Sequence, residues 1–565
     1  MKIKKSNNQK NSKQQKQAIK RILTAVMNET SNSNSIMSNT VEKTVDGGPT
    51  RSTYIFALCA ALNSVSLGYD IGVSTAVGPL IKQYFNLEIF GQEVFISILD
   101  FFQIFGAIGS YLLADKLGRK ANFATAAILF LVGIALQAAA FDYWLLLVGR
   151  SLVGIGAGIG FAIDPVYIAE MSPSHNRGFL VGFSEIGTNV GIVLGFSASL
   201  VFNGVDASIR WRYMLLCGAI PPIFMLLLIM FVMPESPRWL MARGKEEEAR
   251  AILEKVSSSS EDCHRVLEDI RYEVAYDKEV NKEGTIGSWS SLLCSKSPAM
   301  RRALLVGVGA GVSQQVAGVD AIQAYLNTVL AAAGIPEGQL SNGIQLGLMF
   351  MKLLFTMLGA YLSDRKGRRP MFFISTLGCM VGLATISVGF FLAEDVSAPD
   401  PACVLVGIVL YWIFFSLGMG PLSWLIPSEV FSTCIRGKAM SLATSVNRFV
   451  GFLYGLTYVT TATAMGWGPF YLMIAVVCAI LFVFMYIFLP ETNGKSLEEM
   501  NKHFAEVTGD TTVLDTEKKL RQRVQHGTVE DTHATGSVVK NDGSTVVFDG
   551  ESSSIGKYSN KLDSA

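Results

Sequence analysis

Apolar residues in this chain gather into runs of about 20, the length that crosses a hydrocarbon core about 30 Å thick. They mark twelve candidate helices. Six lie near 54–80, 93–114, 121–141, 144–168, 178–202 and 213–233, and six more near 301–331, 341–363, 370–393, 402–426, 438–462 and 466–489. Gaps inside each set are short. The gap from Pro234 to Met300 is long and charged, with the run Lys245-Glu246-Glu247-Glu248 and serines at 257–260. It cannot span a membrane, so the pattern predicts an all-α membrane protein of two six-helix halves. The expected division is a tail at 1–50, a first half at 51–233, a linker at 234–300, a second half at 301–490 and a tail at 491–565.

Composition agrees. Of 565 residues, 50% are hydrophobic and only 16% charged, against roughly 25% charged in soluble domains. A soluble enzyme, a secreted disulfide scaffold and a nucleic-acid binder are excluded. The net charge is +1, so the position of each charge matters more than the sum. Basic residues crowd the N-terminal tail, the loop after span 2 (Lys116, Arg119, Lys120) and the loop after span 8 (Arg365, Lys366, Arg368, Arg369). By the positive-inside rule both termini and the linker are cytoplasmic. The first 50 residues hold no apolar signal-peptide core. Both tails are Ser-, Asn- and Thr-rich or of mixed charge and are expected to be disordered. The eight cysteines show no ligand spacing and read as small buried hydrophobes. No nucleophile–base, metal or cofactor constellation is present, so no cofactor is expected. The run Gly154-Ile-Gly156-Ala-Gly158-Ile-Gly160 lies inside a span with no strand before it. It predicts close helix packing rather than a nucleotide loop.

The two halves repeat. Asp115-Lys-Leu-Gly-Arg119-Lys120 follows span 2, and Asp364-Arg-Lys-Gly-Arg368-Arg369 follows span 8. Glu170 precedes Arg177-Gly178 as Glu429 precedes Arg436-Gly437, and Pro234-Glu-Ser matches Pro490-Glu-Thr. The offsets are nearly constant, roughly 250 residues, which marks a duplicated unit with its site between the copies near the midplane. Further signatures are Arg150 with Gly154, Pro165-Val-Tyr-Ile-Ala-Glu170, Pro234-Glu-Ser-Pro-Arg-Trp-Leu240, Gln314-Gln315 with Gly318, Gly420-Pro421, Trp424, and Pro490-Glu-Thr with Gly494-Lys495. Over about residues 54–500 the pattern resembles the major facilitator superfamily and, within it, the sugar porter family. The resemblance implies that Asp115, Arg119, Glu170, Arg177, Asp364, Arg368, Glu429 and Arg436 gate the inner side through ion pairs. It also implies that linker segments 246–256 and 265–274 form short amphipathic helices over the cytoplasmic mouth.

An ionisable residue at the bilayer centre costs at least about 2.5–3.5 kcal/mol on insertion scales. It must pair, face a cavity or titrate. Five stand out: Asp70, Arg150, Glu185, Asp320 and Lys352. Asp70 and Arg150 sit at compatible depths, so an ion pair between them is feasible. Only the Asp can lose its proton, which is the minimum machinery of a proton symporter. In the resembled family an Asp here marks proton-coupled members. Glu185, Asp320 and Lys352 stand where hexose carriers of that family have neutral amides, and the trio resembles the plant-type polyol branch, as does Asn447-Arg448. Two acids and one Lys are expected to form one ion pair with a shared acid. Carboxylates and an ammonium suit the hydroxyls of a linear polyol.

The resemblance further implies sugar contacts at Gln314, Gln315, Trp424 and Asn447, and an outer gate at Tyr325, beside which the family's second tyrosine is Ala324. Asp164, before Pro165, stands where the family has an apolar residue. Gly418 and Gly420-Pro421 are expected to interrupt span 10. The reading is a monomeric carrier in the lipid bilayer, with the plasma membrane ahead of a vacuolar or other internal one. It imports a polyol or monosaccharide together with a proton by alternating access, and has no nucleic-acid partner. A facilitative uniporter and a non-transporting nutrient sensor are the alternatives.

Overall fold

The computed structural model describes residues 50–172, 177–283, 297–336, 338–395, 400–431, 436–495 and 497–511, with isolated positions from 515 to 522. The expected disordered N-terminal tail and most of the C-terminal one lie outside these residues. Six spans come first: α1 (Arg51–Tyr84), α2 (Ile89–Leu117), α3 (Arg119–Ala138), α4 (Tyr143–Met171), α5 (Arg177–Val201) and α6 (Ala207–Phe231). Three linker helices follow: α7 (Pro237–Ala242), α8 (Glu246–Val256) and α9 (Ser260–Glu283). The second six are α10 (Pro298–Ala324, continued by Leu326–Ala332), α11 (Gln339–Lys366), α12 (Arg368–Asp395), α13 (Pro401–Val430), α14 (Arg436–Met465) and α15 (Trp467–Phe488). A last helix, α16 (Leu497–Thr508), begins the C-terminal tail. We call the end carrying the basic loops the inner end.

Among the described residues, eleven helices are long and apolar enough to cross a membrane. The one remaining expected span, the eleventh in chain order (α14), is 30 residues long but too polar to count with them. It carries Arg436, Lys438, Asn447, Arg448 and several Ser and Thr. A helix of that character is kept from lipid by its neighbours, and α14 packs along α2 of the other half and α10 of its own.

Within the first half, backbones touch. A Cβ on Gly68 of α1 would fall 1.9 Å from the carbonyl oxygen of Thr188 in α5, and one on Gly191 of α5 would fall 2.2 Å from that of Val65. The glycine run of α4 does the same against α2: a Cβ on Gly158 would lie 2.2 Å from the carbonyl of Gln103. Small residues let the helices approach closely, which is how helices associate without a hydrophobic drive.

Two spans are broken. In α10 the helix stops at Val316 and restarts at Val319, with Gly318 in the left-handed region at φ 77°. Tyrosine hydroxyls answer the freed carbonyls: Tyr454 donates to Val316 O at 3.1 Å and Tyr411 to Ala317 O at 2.9 Å. The break in α13 falls at Gly418, as expected from sequence. There Ser375 receives the Met419 N–H at 2.8 Å and donates to Phe414 O at 2.6 Å. The α10 break is not marked in the sequence reading.

The inner end explains the repeated motifs. Gly118 and Gly367 both turn at φ 94°, and each opens a helix whose first N–H groups are received by a carboxylate. Glu235 takes Arg119 N at 2.7 Å and Lys120 N at 3.2 Å, and Glu491 takes Arg368 N at 2.9 Å and Arg369 N at 3.2 Å. An anion at a helix N-terminus is favoured by the exposed N–H groups and the helix dipole. The linker helices dock on the inner end of the first half, where Leu253, Val256, Leu267 and Ile270 are buried with Met171 and Met225. In the tail, α16 buries Met500 and Phe504 against the second half.

The backbone contact of α1 and α5 yields a paired test. Gly68→Ala is expected to lower the thermal midpoint of the detergent-purified protein, since overpacking costs typically about 1–3 kcal/mol. Gly109→Ala, whose Cβ meets nothing within 4 Å, is expected to leave it unchanged. Equal midpoints for the two variants would refute the close-packing account.

Candidate functional site

Three polar groups lie at membrane depth. The first belongs to the first half. Arg150, on α4 opposite α1, gives one guanidinium nitrogen to both Asp70 oxygens at 2.7 and 2.8 Å. A second nitrogen donates to Ser74 Oγ at 2.7 Å and Nε donates to Phe95 O at 3.3 Å. The guanidinium also lies 4.7 Å from the Phe95 ring centre. Arg150 is 1% exposed, so every polar contact replaces a lost water contact and the pair is held from three helices.

The second group joins the two halves and departs from expectation. Asp320 does not pair with Lys352. It sits in the first turn after the α10 break, where Gln315 Nε2 donates to it at 2.5 Å and Arg448 of α14 at 3.0 Å. The same Arg448 nitrogen also donates to Asp100 of α2 at 3.2 Å. One guanidinium thus serves two carboxylates from opposite halves. Arg448 further stacks 5.1 Å from the ring of Phe161, and Phe161 meets the Trp424 ring edge-on at 4.6 Å. Asn447 donates to Gly311 O at 2.6 Å and accepts from Gln315 at 3.5 Å. The α10 break, Gln315, Asp320, Trp424, Asn447 and Arg448 therefore form one contiguous surface.

The third group holds Lys352 and Glu185. Lys352 donates to Gln323 Oε1 at 2.8 Å and lies 4.8 Å from the Trp412 ring centre. Among the described residues it makes no ion pair within 4.0 Å, so the expected shared-acid pair is replaced by an amide and an aromatic face. Asp320 is engaged instead by one Arg448 nitrogen and by Gln315. Glu185, on α5, receives Asn189 Nδ2 at 3.3 Å, and α5 packs against α11, the helix that carries Lys352.

Several buried atoms near these groups have no protein partner among the described residues: Gln314 Oε1, Gln315 Oε1, Gln323 Nε2, Trp424 Nε1 and Arg448 Nε. They mix acceptors with donors. A hydroxyl both gives and takes a hydrogen bond, so this lining suits a neutral polyhydroxylated solute better than an ion of one sign.

The outer side is sealed by bonds between halves. Thr75 Oγ1 donates to Gln323 O at 3.0 Å, and Asn327 Nδ2 donates to Thr75 O at 3.2 Å. Glu93 receives Thr460 N at 2.8 Å and Thr460 Oγ1 at 2.5 Å. Tyr325 stacks on Tyr458 with ring centres 5.2 Å apart and donates to Gly455 O at 2.7 Å, beside buried Ala324. It lies within the second half at the depth of this seam.

The inner motifs pair inside each half. Arg119 grips Glu170 at 2.7 and 2.9 Å. Arg368 reaches Glu429 at 3.2 Å and Asp364 at 3.0 Å, and Thr492 donates to Glu429 at 2.5 Å. Arg436 opens α14 at this end. The side chains of Asp115 and Arg177 fall outside the described residues. Asp164 is 1% exposed and held by Asn63 at 3.0 Å and by Ser64.

Asp100 is the residue that the sequence reading missed. It stands mid-span in Ile98-Leu-Asp100-Phe and has the same insertion cost as the five residues singled out. Its partner lies 348 residues away, so spacing alone gives no sign of it.

A family profile described as "Sugar (and other) transporter" matches residues 56–504. A probable polyol transporter of Arabidopsis thaliana (polyol transporter 4) is 35% identical over 450 residues, covering 79% of this chain and 84% of that one. The proton myo-inositol cotransporter of Homo sapiens is 29% identical, covering 80% and 82%. The solved structure of the proton:xylose symporter XylE bound to 6-bromo-6-deoxy-D-glucose superposes with a TM-score of 0.69 at 25% identity, covering 80% of this chain and 99% of that one. With the profile running from the first span to the helix beyond the last, the chain belongs to the sugar (and other) transporter family, on the major facilitator fold.

Proposed function

We propose that this transporter imports a polyol together with a proton by alternating access, working as a monomer in the plasma membrane. The observation that carries the reading is the buried Asp70–Arg150 pair. Arg150 cannot give up its proton, while Asp70 can. Helix motion that joins or parts the pair changes the proton affinity of the carboxylate. A relative named as a proton cotransporter and a structural neighbour named as a proton symporter support the same assignment.

The solute would sit between the halves against Glu185, Gln314, Gln315, Asp320, Lys352, Trp424 and Asn447. Lys352 has three N–H donors and spends one on Gln323. Asp320 and Glu185 supply acceptors on the facing helices. The Trp424 indole offers a flat face for C–H groups and an N–H without a protein partner. The names of the plant relatives support a polyol over a hexose.

The driving force is sufficient. One pH unit supplies about 1.36 kcal/mol per proton and 100 mV about 2.3 kcal/mol per charge. Together these support accumulation of a neutral solute by roughly several hundred-fold.

Asp70→Asn is expected to abolish uphill accumulation, measured with labelled solute in transporter-deficient cells, while exchange between preloaded pools persists. Unchanged accumulation would remove the proton role from Asp70. Uptake of a panel of sorbitol, mannitol, myo-inositol and glucose at two external pH values is expected to favour the polyols and the more acidic medium. A glucose-only profile would contradict the solute assignment. Lys352→Met is expected to raise the KM for the preferred polyol about ten- to a hundredfold, the loss of a hydrogen bond from a charged donor. An unaltered KM would take Lys352 out of the solute site.

A further inference from the structure

Gln323 lies one turn after Asp320 on the short helix that follows the α10 break, so the two side chains share one face of it. It is 1% exposed. Its backbone carbonyl accepts the Thr75 hydroxyl of α1 at 3.0 Å, and Asn327, one turn on, returns a bond to Thr75 O at 3.2 Å. Asn327 Oδ1 in turn accepts from Gln345 and Ser341 of α11. The backbone that carries Gln323 is thus fixed from two neighbouring helices, at the outer rim of the solute site. Its side chain is only half used. Lys352 Nζ donates to Oε1 at 2.8 Å, and that bond sets the orientation of the amide, because turning it over would put two donors face to face. Nε2 therefore points away from the ammonium, buried and with no protein partner among the described residues.

We propose that Gln323 is a further solute-contacting residue, which with Lys352 forms a donor pair for the oxygens of neighbouring hydroxyls. This rests on the reading above that the solute sits between the halves. A buried amide donor left unmet is costly, and a solute oxygen is the acceptor that meets it. The ammonium keeps two N–H groups beyond the one given to Gln323, and the amide keeps both of its own. The hydrogen bond between them holds these donors side by side. Hydroxyls bound there through oxygen keep their own hydrogens for acceptors, and Asp320 supplies them from the same face of the short helix. An ammonium is a point charge that accepts many orientations. The amide, fixed by its backbone and by Lys352, is directional, so it selects which hydroxyl of the solute is read. A solute lacking that hydroxyl leaves Nε2 unmet and is rejected.

The test pairs one variant with solutes that each lack one hydroxyl. Labelled uptake of sorbitol, mannitol, myo-inositol and glucose identifies the best carried of the four in intact cells. That uptake is then competed with the same unlabelled solute and with each of its monodeoxy analogues, in the wild type and in Gln323→Met, which keeps the length of the side chain and removes the amide. The inhibition constant of the parent solute is expected to rise about two- to tenfold in the variant, the loss of one hydrogen bond. For one deoxy analogue it is expected to be equal in the two proteins, because the hydroxyl that Gln323 reads is already gone. A merely structural role raises the constants of parent and analogues by the same factor. A rise for every analogue, or no rise for the parent, overturns the inference. If glucose alone is carried, the polyol reading falls, and the deoxyglucoses still decide the role of Gln323. If none of the four is carried, the solute reading falls and the inference with it. Should Gln323→Met not reach the membrane, thermal stabilisation of the detergent-purified proteins by the same compounds makes the same comparison, with the same outcomes.

Discussion

A charge buried at membrane depth must be answered by another group, and most of this architecture can be read as the set of answers. Arg150 is answered by a carboxylate, a hydroxyl and a backbone carbonyl drawn from α1 and α2. Arg448 is answered by two carboxylates, one from each half. Lys352 finds an amide and an indole face instead of an anion. Each answer needs helices to lie at a fixed depth and rotation. The glycine contacts that let backbones touch are what make those settings attainable. Removing one partner of such a pair is far costlier than never having built it, because the survivor is left uncompensated.

The two ends of the molecule use different bonds, and the difference suits a rocking carrier. The outer seam between the halves rests on Thr75, Gln323, Asn327, Glu93 and Thr460. Two of these bonds join neutral groups, each worth about 0.5–1.5 kcal/mol net, and two are accepted by Glu93. A seam of that strength can open and reseal within a cycle. The inner ion pairs are stronger but lie within a half, tying α3 to α4 and α12 to α13. They stiffen each six-helix unit as a body rather than fastening one to the other in this conformation. Rigid halves joined by a weak seam are the condition for alternating access by rigid-body motion.

Much of this was legible in the sequence because it depends on local pattern. Span length, the duplicated motifs, the packing role of the Gly154–Gly160 run and the broken α13 all follow from residues close together in the chain. The feasibility of the Asp70–Arg150 pair was readable from depth alone. What escaped depends on tertiary choice. Lys352 was expected to pair with one of the acids Glu185 and Asp320, yet Asp320 is taken by Arg448 from α14. Asp100 hid inside an otherwise apolar run. The α10 break was hidden for another reason: Gly318 signals a kink only once Tyr411 and Tyr454 are known to donate to the freed carbonyls. Even the polarity of α14, which sets it apart from the other spans, becomes meaningful only when its neighbours are known.

The repeated Pro-Glu motifs show why duplication preserved these residues as sets. Glu235 and Glu491 each cap the helix that follows a glycine turn, in α3 and α12. A Cβ on Gly118 would lie 2.4 Å from Glu235, and one on Gly367 2.8 Å from Glu491. The turn, the basic residue after it and the capping carboxylate therefore form a single steric and electrostatic unit. Changing the glycine evicts the carboxylate, and removing the carboxylate strands the N–H groups that open the helix. Arg119 and Arg368 then carry the clamp onward to Glu170 and Glu429. Each half thus closes its own inner end independently. The contacts that cross between the halves, Arg448 to Asp100 among them, are a separate set.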